Sequence, residues 1–213
     1  MLTLFDYPAS ENAWKVRQLL HHLRRPYRTV KLSIFEGEGR TEDYLRTSPT
    51  GTVPAIQLDD GRTLAESNAI LFFLATDTPY LPDDAFGRAK VLQWLSFEQE
   101  RVESVIGSLR YWTLTGKLEK RAPVLVEMKR STGERTLQIL DRELAQRPFL
   151  TEHGYSIADI SVFAYGSHAE EAGFSLQSYP HVRAWIARVK SQPGFLATMH
   201  PYSDDPHSSG ELP

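Results

Sequence analysis

The spacing of apolar residues changes partway along the chain and divides it into two regions. In the first region, the apolar run 2–5 predicts a strand, helical spacing within 10–25 predicts a helix, and alternation over 27–32 predicts a second strand. A strand, a helix and a strand within about thirty residues form a βαβ unit, whose strands are expected to run parallel.

The rest of the first region predicts a hairpin and a helix. After a polar loop with one or two helical turns, the segments 53–58 and 62–64 flank an Asp-Asp-Gly turn, which is typical of a β-hairpin. A helix is predicted at once over 66–75. The predicted order is therefore β-α-β, loop, β-β-α.

Beyond residue 77 every strong pattern is helical, which predicts an α/β domain followed by an all-helical domain. The predicted helices cover 91–109, 123–144, 156–171 and 179–190. The predicted division is 1–77 for the first domain, 78–86 for a linker, 87–201 for the helical domain and 202–213 for a polar tail. The prolines and polar residues of this tail predict that it is poorly ordered.

The composition narrows the range of functions. The 213 residues carry a formal net charge of -3, so no general attraction to nucleic acid is expected. The longest apolar run, 69–75, is far short of the roughly 20 residues that span a bilayer, and the first residues lack a signal-peptide pattern. We therefore expect a cytoplasmic protein with no membrane partner. The absence of cysteine excludes disulfides, thiolate metal sites and a protein thiol nucleophile.

The sequence Thr52-Val53-Pro54 opens the third predicted strand. Proline at the start of a strand leaves a neighbouring backbone edge unpaired. If the Val53-Pro54 bond is cis, the N–H and C=O of Val53 turn outward, where a peptide-like ligand can pair with both. An ordinary trans proline is the alternative, since cis bonds make up only about 5–6% of X-Pro bonds. The place of this proline ahead of a strand, with Glu66-Ser67 twelve residues downstream, predicts a cis bond.

Glu66 and Ser67 stand where the next helix begins. The Ser67 hydroxyl and the first N–H groups of the helix can hold a carboxylate, and Glu66 can receive an ammonium group. An α-amino acid carries both charges. A helix start that merely caps itself is the alternative.

Three segments are similar to glutathione S-transferases: LFDYPASENAWKVR, SPTGTVPAIQLDDGRTLAESNAILFFL and YSIADISVFAY, at 4–17, 48–74 and 155–165. The resemblance extends to about residue 200 and looks closest to bacterial transferases with a segment like WLSFEQE. It implies a thioredoxin-like first domain, a homodimer and glutathione as co-substrate without a metal. It also implies that Val53 pairs with the cysteinyl unit of glutathione and that Glu66 and Ser67 take its γ-glutamyl end.

The resemblance also implies that a residue between the first strand and the first helix activates the thiol. Ser10 stands at this position, near the positive end of the helix, where its hydroxyl could stabilise a thiolate. The Asn12 amide could donate instead, and Tyr7 is a third candidate. A simple helix cap is the alternative for Ser10.

Two positions depart from the pattern of relatives. Where relatives often carry cations for the glycyl carboxylate of glutathione, this sequence has Thr52 and Gly39. Arg40 is the nearest cation, and Lys15 is another candidate. We therefore expect modest affinity for glutathione.

Two further groups of residues are assigned by position. Tyr111 and Trp112 are candidates for the electrophile pocket, although aromatic residues at helical spacing belong more often to a core. Ser156 and Asp159 form a predicted capping box and are read as structural.

The predicted function is glutathione transfer to small hydrophobic electrophiles, a detoxification chemistry. Glutathione-dependent peroxidase, reductase or isomerase activity is the alternative within the enzyme class. A noncatalytic glutathione-binding or interaction module is the alternative outside it.

Overall fold

The computed structural model describes all 213 residues and divides the chain into two compact units. One unit comprises Met1–Thr76 together with Pro193–Pro213, and the other comprises Asp77–Gln192. The predicted division places residues 193–201 in the helical domain and 202–213 in a separate tail. Both segments instead belong to the first unit.

The first unit is a four-stranded mixed sheet with helices. Its elements are β1 (Leu2–Asp6), α1 (Glu11–His22), β2 (Tyr27–Lys31), α2 (Glu42–Leu45), β3 (Ala55–Gln57), β4 (Thr63–Ala65) and α3 (Ser67–Ala75). The strand order is β2-β1-β3-β4, with β1 and β2 parallel and the other two pairings antiparallel. This arrangement confirms the predicted βαβ unit, the predicted hairpin and the thioredoxin-like fold class.

Helix α1 begins at a capped N-terminus and buries one face. The Ser10 side chain accepts a hydrogen bond from the backbone N–H of Ala13, which satisfies one of the donors left unpaired in the first turn. Val16 and Leu19 are fully buried, and α1 packs against α3. This packing fixes the start of α1 at the end of β1, where candidate site residues lie.

The segment after residue 192 packs on the first unit because α1 carries polar groups that bind its backbone. The Trp14 indole donates to the carbonyl oxygen of Leu196 at 3.1 Å. The Gln18 amide donates to the Gly194 oxygen at 3.0 Å and accepts from the Leu196 N–H at 2.6 Å. Trp14 and Gln18 are buried, so water cannot reach their polar atoms. The hydrogen bonds to the backbone of this segment satisfy those atoms instead.

The second unit is helical, as predicted. Its helices are α4 (Ala85–Phe97), α5 (Ser108–Leu114), α6 (Pro123–Leu144), α7 (Ile157–Gly166) and α8 (Pro180–Lys190). A π-helical stretch, Glu98–Gly107, joins α4 to α5 without a break. Helix α7 ends earlier than predicted and is followed by a 3₁₀ turn at Ala169–Ala172. None of these helices combines the length and apolar character that crossing a bilayer requires.

The predicted capping box at the start of α7 is present. The Ser156 hydroxyl accepts from the Ala158 N–H, and the Asp159 carboxylate accepts from the Ser156 N–H. Asp159 also accepts from the Trp185 indole at 2.9 Å, and burial raises its pKa to about 6. These bonds hold α7 and α8 together, which is the structural role expected from the sequence.

Candidate functional site

A cavity of about 190 Å³ in the first unit brings together most of the candidate residues. Ser10, Asn12, Arg40, Thr52 and Val53 all line it. Three separate chain segments supply these residues: the start of α1, the loop after β2 and the loop before β3. The convergence of distant segments on one cavity is the main reason to treat it as a site.

Ser10 is the N-cap of α1, at the positive end of the helix dipole, as its position in the sequence predicted. Because its oxygen accepts from the Ala13 N–H at 3.2 Å, its hydroxyl hydrogen is the group that can donate to a ligand. The N-terminus of α1 adds a positive partial charge at the same place. An anionic sulfur there would meet a hydroxyl donor and a favourable helix end.

Asn12 connects α1 to the start of α3. Its side-chain oxygen accepts from the Ser67 hydroxyl at 3.1 Å, so the amide nitrogen is the group through which Asn12 can donate. The buried Lys15 ammonium lies 3.5 Å from the same hydroxyl. The Ser67 proton that the sequence analysis assigned to a ligand carboxylate is thus directed at Asn12 in this structure.

Glu66 and Ser67 do not line the cavity. Glu66 is exposed and has φ 67°, a left-handed conformation that is uncommon outside glycine. Ser67 follows as the first residue of α3 and is buried. The hydrogen bond from Ser67 to Asn12 is therefore the link between this pair and the cavity.

The Val53-Pro54 bond is cis, as the motif predicted. Thr52, the residue before this Val-Pro pair, is held by hydrogen bonds from two hydroxyl groups. Tyr44 donates to the Thr52 carbonyl oxygen at 2.7 Å and Ser48 donates to the same oxygen at 3.0 Å. Burial raises the pKa of Tyr44 to about 12, so its phenol remains a neutral donor across the physiological range.

Two glycines explain why one expected cation is missing. A Cβ atom on Gly39 would lie 2.3 Å from the backbone oxygen of Gly51, and a Cβ on Gly51 would lie 2.5 Å from the oxygen of Gly39. Gly51 also has φ +68°. The loops on the two sides of the cavity therefore approach too closely for a side chain at 39, and the neighbouring Arg40 is the cation that lines the cavity.

The Arg40 guanidinium is bound to backbone oxygens only. It donates to the Thr50 carbonyl at 2.9 Å. Its Nε and Nη2 donate to the main-chain oxygen of Pro213 at 3.2 and 3.1 Å. No carboxylate side chain of the chain forms an ion pair with Arg40 in this structure.

The sequence pattern makes Tyr7 only the third candidate for activating the thiol and indicates no role at the site for residues 202–213. Tyr7 follows β1, is 4% exposed, and lines the cavity. Its hydroxyl donates to the Asp205 carboxylate at 3.0 Å. Leu212 and Pro213 form another part of the cavity wall. The tail predicted to be poorly ordered thus packs on the candidate site.

The aromatic candidates in the second unit make contacts inside that unit. The fully buried Lys117 donates to the Tyr111 hydroxyl at 2.7 Å. The ring of Trp112 lies beneath the cations of Lys129 and Arg121, at 5.5 and 5.3 Å from the ring centroid. These contacts agree with the reading of such aromatics as structural.

Two protein-family models match the chain. The model for the N-terminal domain of glutathione S-transferases matches residues 9–77, and the model for the C-terminal domain matches residues 123–188. The first match includes the candidate residues from Ser10 to Ser67 but not Tyr7, and the second includes the capping box of α7.

Solved structures of similar proteins cover almost the whole chain. A glutathione S-transferase from Pseudomonas fluorescens is 35% identical, with a TM-score of 0.88 over 92% of this chain and 97% of that one. A glutathione transferase from Burkholderia graminis, crystallised with two glutathione molecules bound per subunit, is 26% identical. Its TM-score is 0.79 over 91% of this chain and 85% of that one.

Curated relatives have varied functions. The disulfide-bond oxidoreductase YfcG of Escherichia coli is 28% identical over 91% of this chain and 92% of its own length. Elongation factor 1-gamma of Carassius auratus is 32% identical over 92% of this chain, which spans only 45% of that protein.

Proposed function

This chain belongs to the glutathione S-transferase family, and we propose that it binds glutathione in the cavity around Ser10 and activates its thiol. The observation that carries the proposal is the convergence of Ser10, Asn12, Arg40 and Val53 on one cavity. The cavity offers hydroxyl and amide donors for a thiolate, a guanidinium for a carboxylate, and the backbone of Val53 for a peptide group. Glutathione carries all three of these groups. The glutathione-bound relative from Burkholderia graminis supports the same ligand.

Each part of glutathione has a proposed partner. The backbone of Val53 pairs with the cysteinyl unit, and the Arg40 guanidinium takes the glycyl carboxylate. Glu66 and Ser67 hold the γ-glutamyl end, with the first N–H groups of α3 as donors to its carboxylate. Thr52 stands where relatives often place a cation and contributes no charge.

The proposed reaction is transfer of glutathione to a small hydrophobic electrophile. Ser10 or Asn12 donates a hydrogen bond to the thiolate, which keeps it ionised at neutral pH. The thiolate then forms a carbon–sulfur bond while a leaving group departs with its electron pair, or adds to an activated double bond that later takes up a proton. No covalent bond to the enzyme is formed, and rate comes from thiolate stabilisation and proximity.

Disulfide reduction is the second candidate, and the relative named a disulfide-bond oxidoreductase favours it. Since the chain has no cysteine, glutathione must supply both thiols. One glutathione thiolate attacks the disulfide and releases a thiol. A second glutathione then attacks the mixed disulfide, which gives glutathione disulfide and a second thiol.

Two assays on the same preparation distinguish these functions. We expect glutathione-dependent conjugation of an aryl halide, followed by absorbance of the product. Oxidation of NADPH coupled through glutathione reductase, with hydroxyethyl disulfide as substrate, reports the second candidate. Glutathione binding by calorimetry without turnover in either assay would indicate a noncatalytic module, and absence of binding would contradict the proposal.

We also propose a cytoplasmic homodimer. One reason for the dimer is membership of a family whose resemblance implies homodimers. The other is an apolar face of α6 that the isolated chain leaves exposed: Val124, Leu125 and Met128 are 68%, 40% and 63% accessible. Light scattering at micromolar concentration should give twice the mass of the 24.2 kDa chain. A monomer under these conditions would contradict the proposal.

A further inference from the structure

We infer that the segment Tyr202–Pro213, called here the tail, competes with glutathione for the cavity and must be displaced when glutathione binds. The inference rests on the proposed function, because it takes glutathione as the ligand of this cavity. It assigns to the tail an autoinhibitory contact with the site.

The tail is attached to the cavity at both of its ends. Near its start, the Tyr7 hydroxyl donates to Asp205 at 3.0 Å, and the rings of Tyr7 and Tyr202 lie 6.4 Å apart between centroids. At its far end, the main-chain oxygen of Pro213 accepts two hydrogen bonds from Arg40. Tyr202, Leu212 and Pro213 line the same cavity as Ser10, Asn12 and Val53.

The space that remains beside the tail is small for a tripeptide. The cavity measures about 190 Å³, whereas small-molecule sites usually offer about 300–1,000 Å³. Leu212 and Pro213 form part of its wall, so their departure enlarges it. The volume therefore favours a site that opens fully only when the tail leaves.

Arg40 is the group over which the tail and glutathione compete most directly. In this structure its Nε and Nη2 point at the Pro213 oxygen, while Nη1 is bound to the Thr50 carbonyl. The Pro213 oxygen occupies the Nε–Nη2 edge, which is one of the edges through which a guanidinium binds a carboxylate in a bidentate manner. A glycyl carboxylate that binds bidentate at this edge must therefore displace the Pro213 oxygen.

A substitution that loosens the tail at a residue that does not itself line the cavity should tighten glutathione binding. Asp205→Ala removes the acceptor of the Tyr7 hydroxyl, and we expect the Kd for glutathione to fall by about 3- to 10-fold. Asp204→Ala is the matched control: it removes the same charge from the adjacent residue, whose carboxylate lies 3.7 Å from the His200 ring and which does not line this cavity. Calorimetric titration of all three proteins with glutathione gives the comparison.

Hydrogen–deuterium exchange shows directly whether the tail leaves. We expect amides of residues 202–213 to exchange faster when the wild-type protein is saturated with glutathione. Slower exchange would mean that the tail closes over the ligand, and unchanged exchange would mean that it stays in place. Either result would overturn the inference.

The outcomes separate this inference from the proposed function. Equal Kd values for the wild-type protein and both variants would remove the competition but leave glutathione as the ligand. A lower Kd in both variants would assign the effect to charge rather than to the Tyr7 contact, and would also overturn the inference. If none of the proteins binds glutathione, the proposed function itself fails.

Discussion

Replacing Ser10 tests how the thiol of bound glutathione is ionised. A free thiol has a pKa of about 8.5. A hydrogen bond to a charged group contributes about 1.5–3 kcal/mol, and a helix N-terminus about 0.3–1 kcal/mol. At about 1.36 kcal/mol per pH unit, the two together lower the thiol pKa to about 6–7.

Ser10→Ala removes the hydroxyl but leaves the end of α1 in place. We expect the pKa of the bound thiol to rise by about 1–2 pH units, from roughly 6.5 to roughly 8. The thiolate fraction at pH 7 then falls from about three quarters to about one tenth. Titration of bound glutathione, followed by thiolate absorbance at 240 nm, measures this change.

The same substitution removes a helix cap, so stability must be separated from thiol chemistry. The Ser10 oxygen accepts from the Ala13 N–H, and loss of such a cap to Ala costs about 1 kcal/mol. Glycine at an N-cap costs only a few tenths of a kcal/mol relative to serine. Ser10→Gly should therefore raise the thiol pKa as Ser10→Ala does while unfolding close to wild type, and Ser10→Thr should keep both properties.

Asn12 provides the competing explanation. If Ser10→Ala leaves the thiol pKa unchanged while Asn12→Ala raises it, the Asn12 amide is the donor. If neither substitution changes it, the helix end alone acts and the reasoning for a side-chain donor is refuted.

Three further predictions test the site and the helical unit. Glu66→Ala should raise the KM for glutathione more than it lowers kcat, because Glu66 is assigned to binding; a loss confined to kcat in steady-state kinetics would contradict this. Gly133→Ala should destabilise the protein by about 1–3 kcal/mol in urea unfolding, because the added Cβ would lie 2.2 Å from the Phe174 ring; a background of Phe174→Leu should remove most of the cost. The His168 hydrogen bond holds the pKa of Glu171 at about 2, below its usual 4.5, so the stabilisation by Glu171 is present above pH 4.5 and is lost as the pH falls towards 2. The Tm difference between the wild-type protein and Glu171→Gln should therefore shrink between pH 6 and pH 3, and a constant difference would contradict this assignment.

The elements that local patterns encode could be predicted from the sequence. The parallel βαβ unit follows from apolar spacing, and the hairpin follows from the Asp-Gly turn. The capping box follows from Ser156 and Asp159, three residues apart. The cis Val53-Pro54 bond was predicted from the order of two motifs, since neither motif alone is specific.

The contacts that join distant segments could not be predicted. Asn12 and Ser67 are 55 residues apart, and no local pattern indicates that their side chains are hydrogen-bonded. The close approach of Gly39 and Gly51 depends on how two loops fold. From the sequence alone, Gly39 therefore indicates only the loss of a cation that relatives often carry. The tail was misread for a similar reason: its polar composition resembles disorder, but α1, Tyr7 and Arg40 supply the partners that order it.

The first unit combines segments on either side of the helical unit, so its two parts are synthesised at different times. The Trp14 indole meets the Leu196 carbonyl 182 residues later, after the whole of Asp77–Gln192 has been translated. A nascent chain that stops at residue 77 therefore leaves Trp14 and Gln18 without those backbone partners. The intervening helical unit can fold first and shorten the effective loop, which reduces the entropic cost of the final closure. On the ribosome, the sheet unit is therefore started before the helical unit and completed after it.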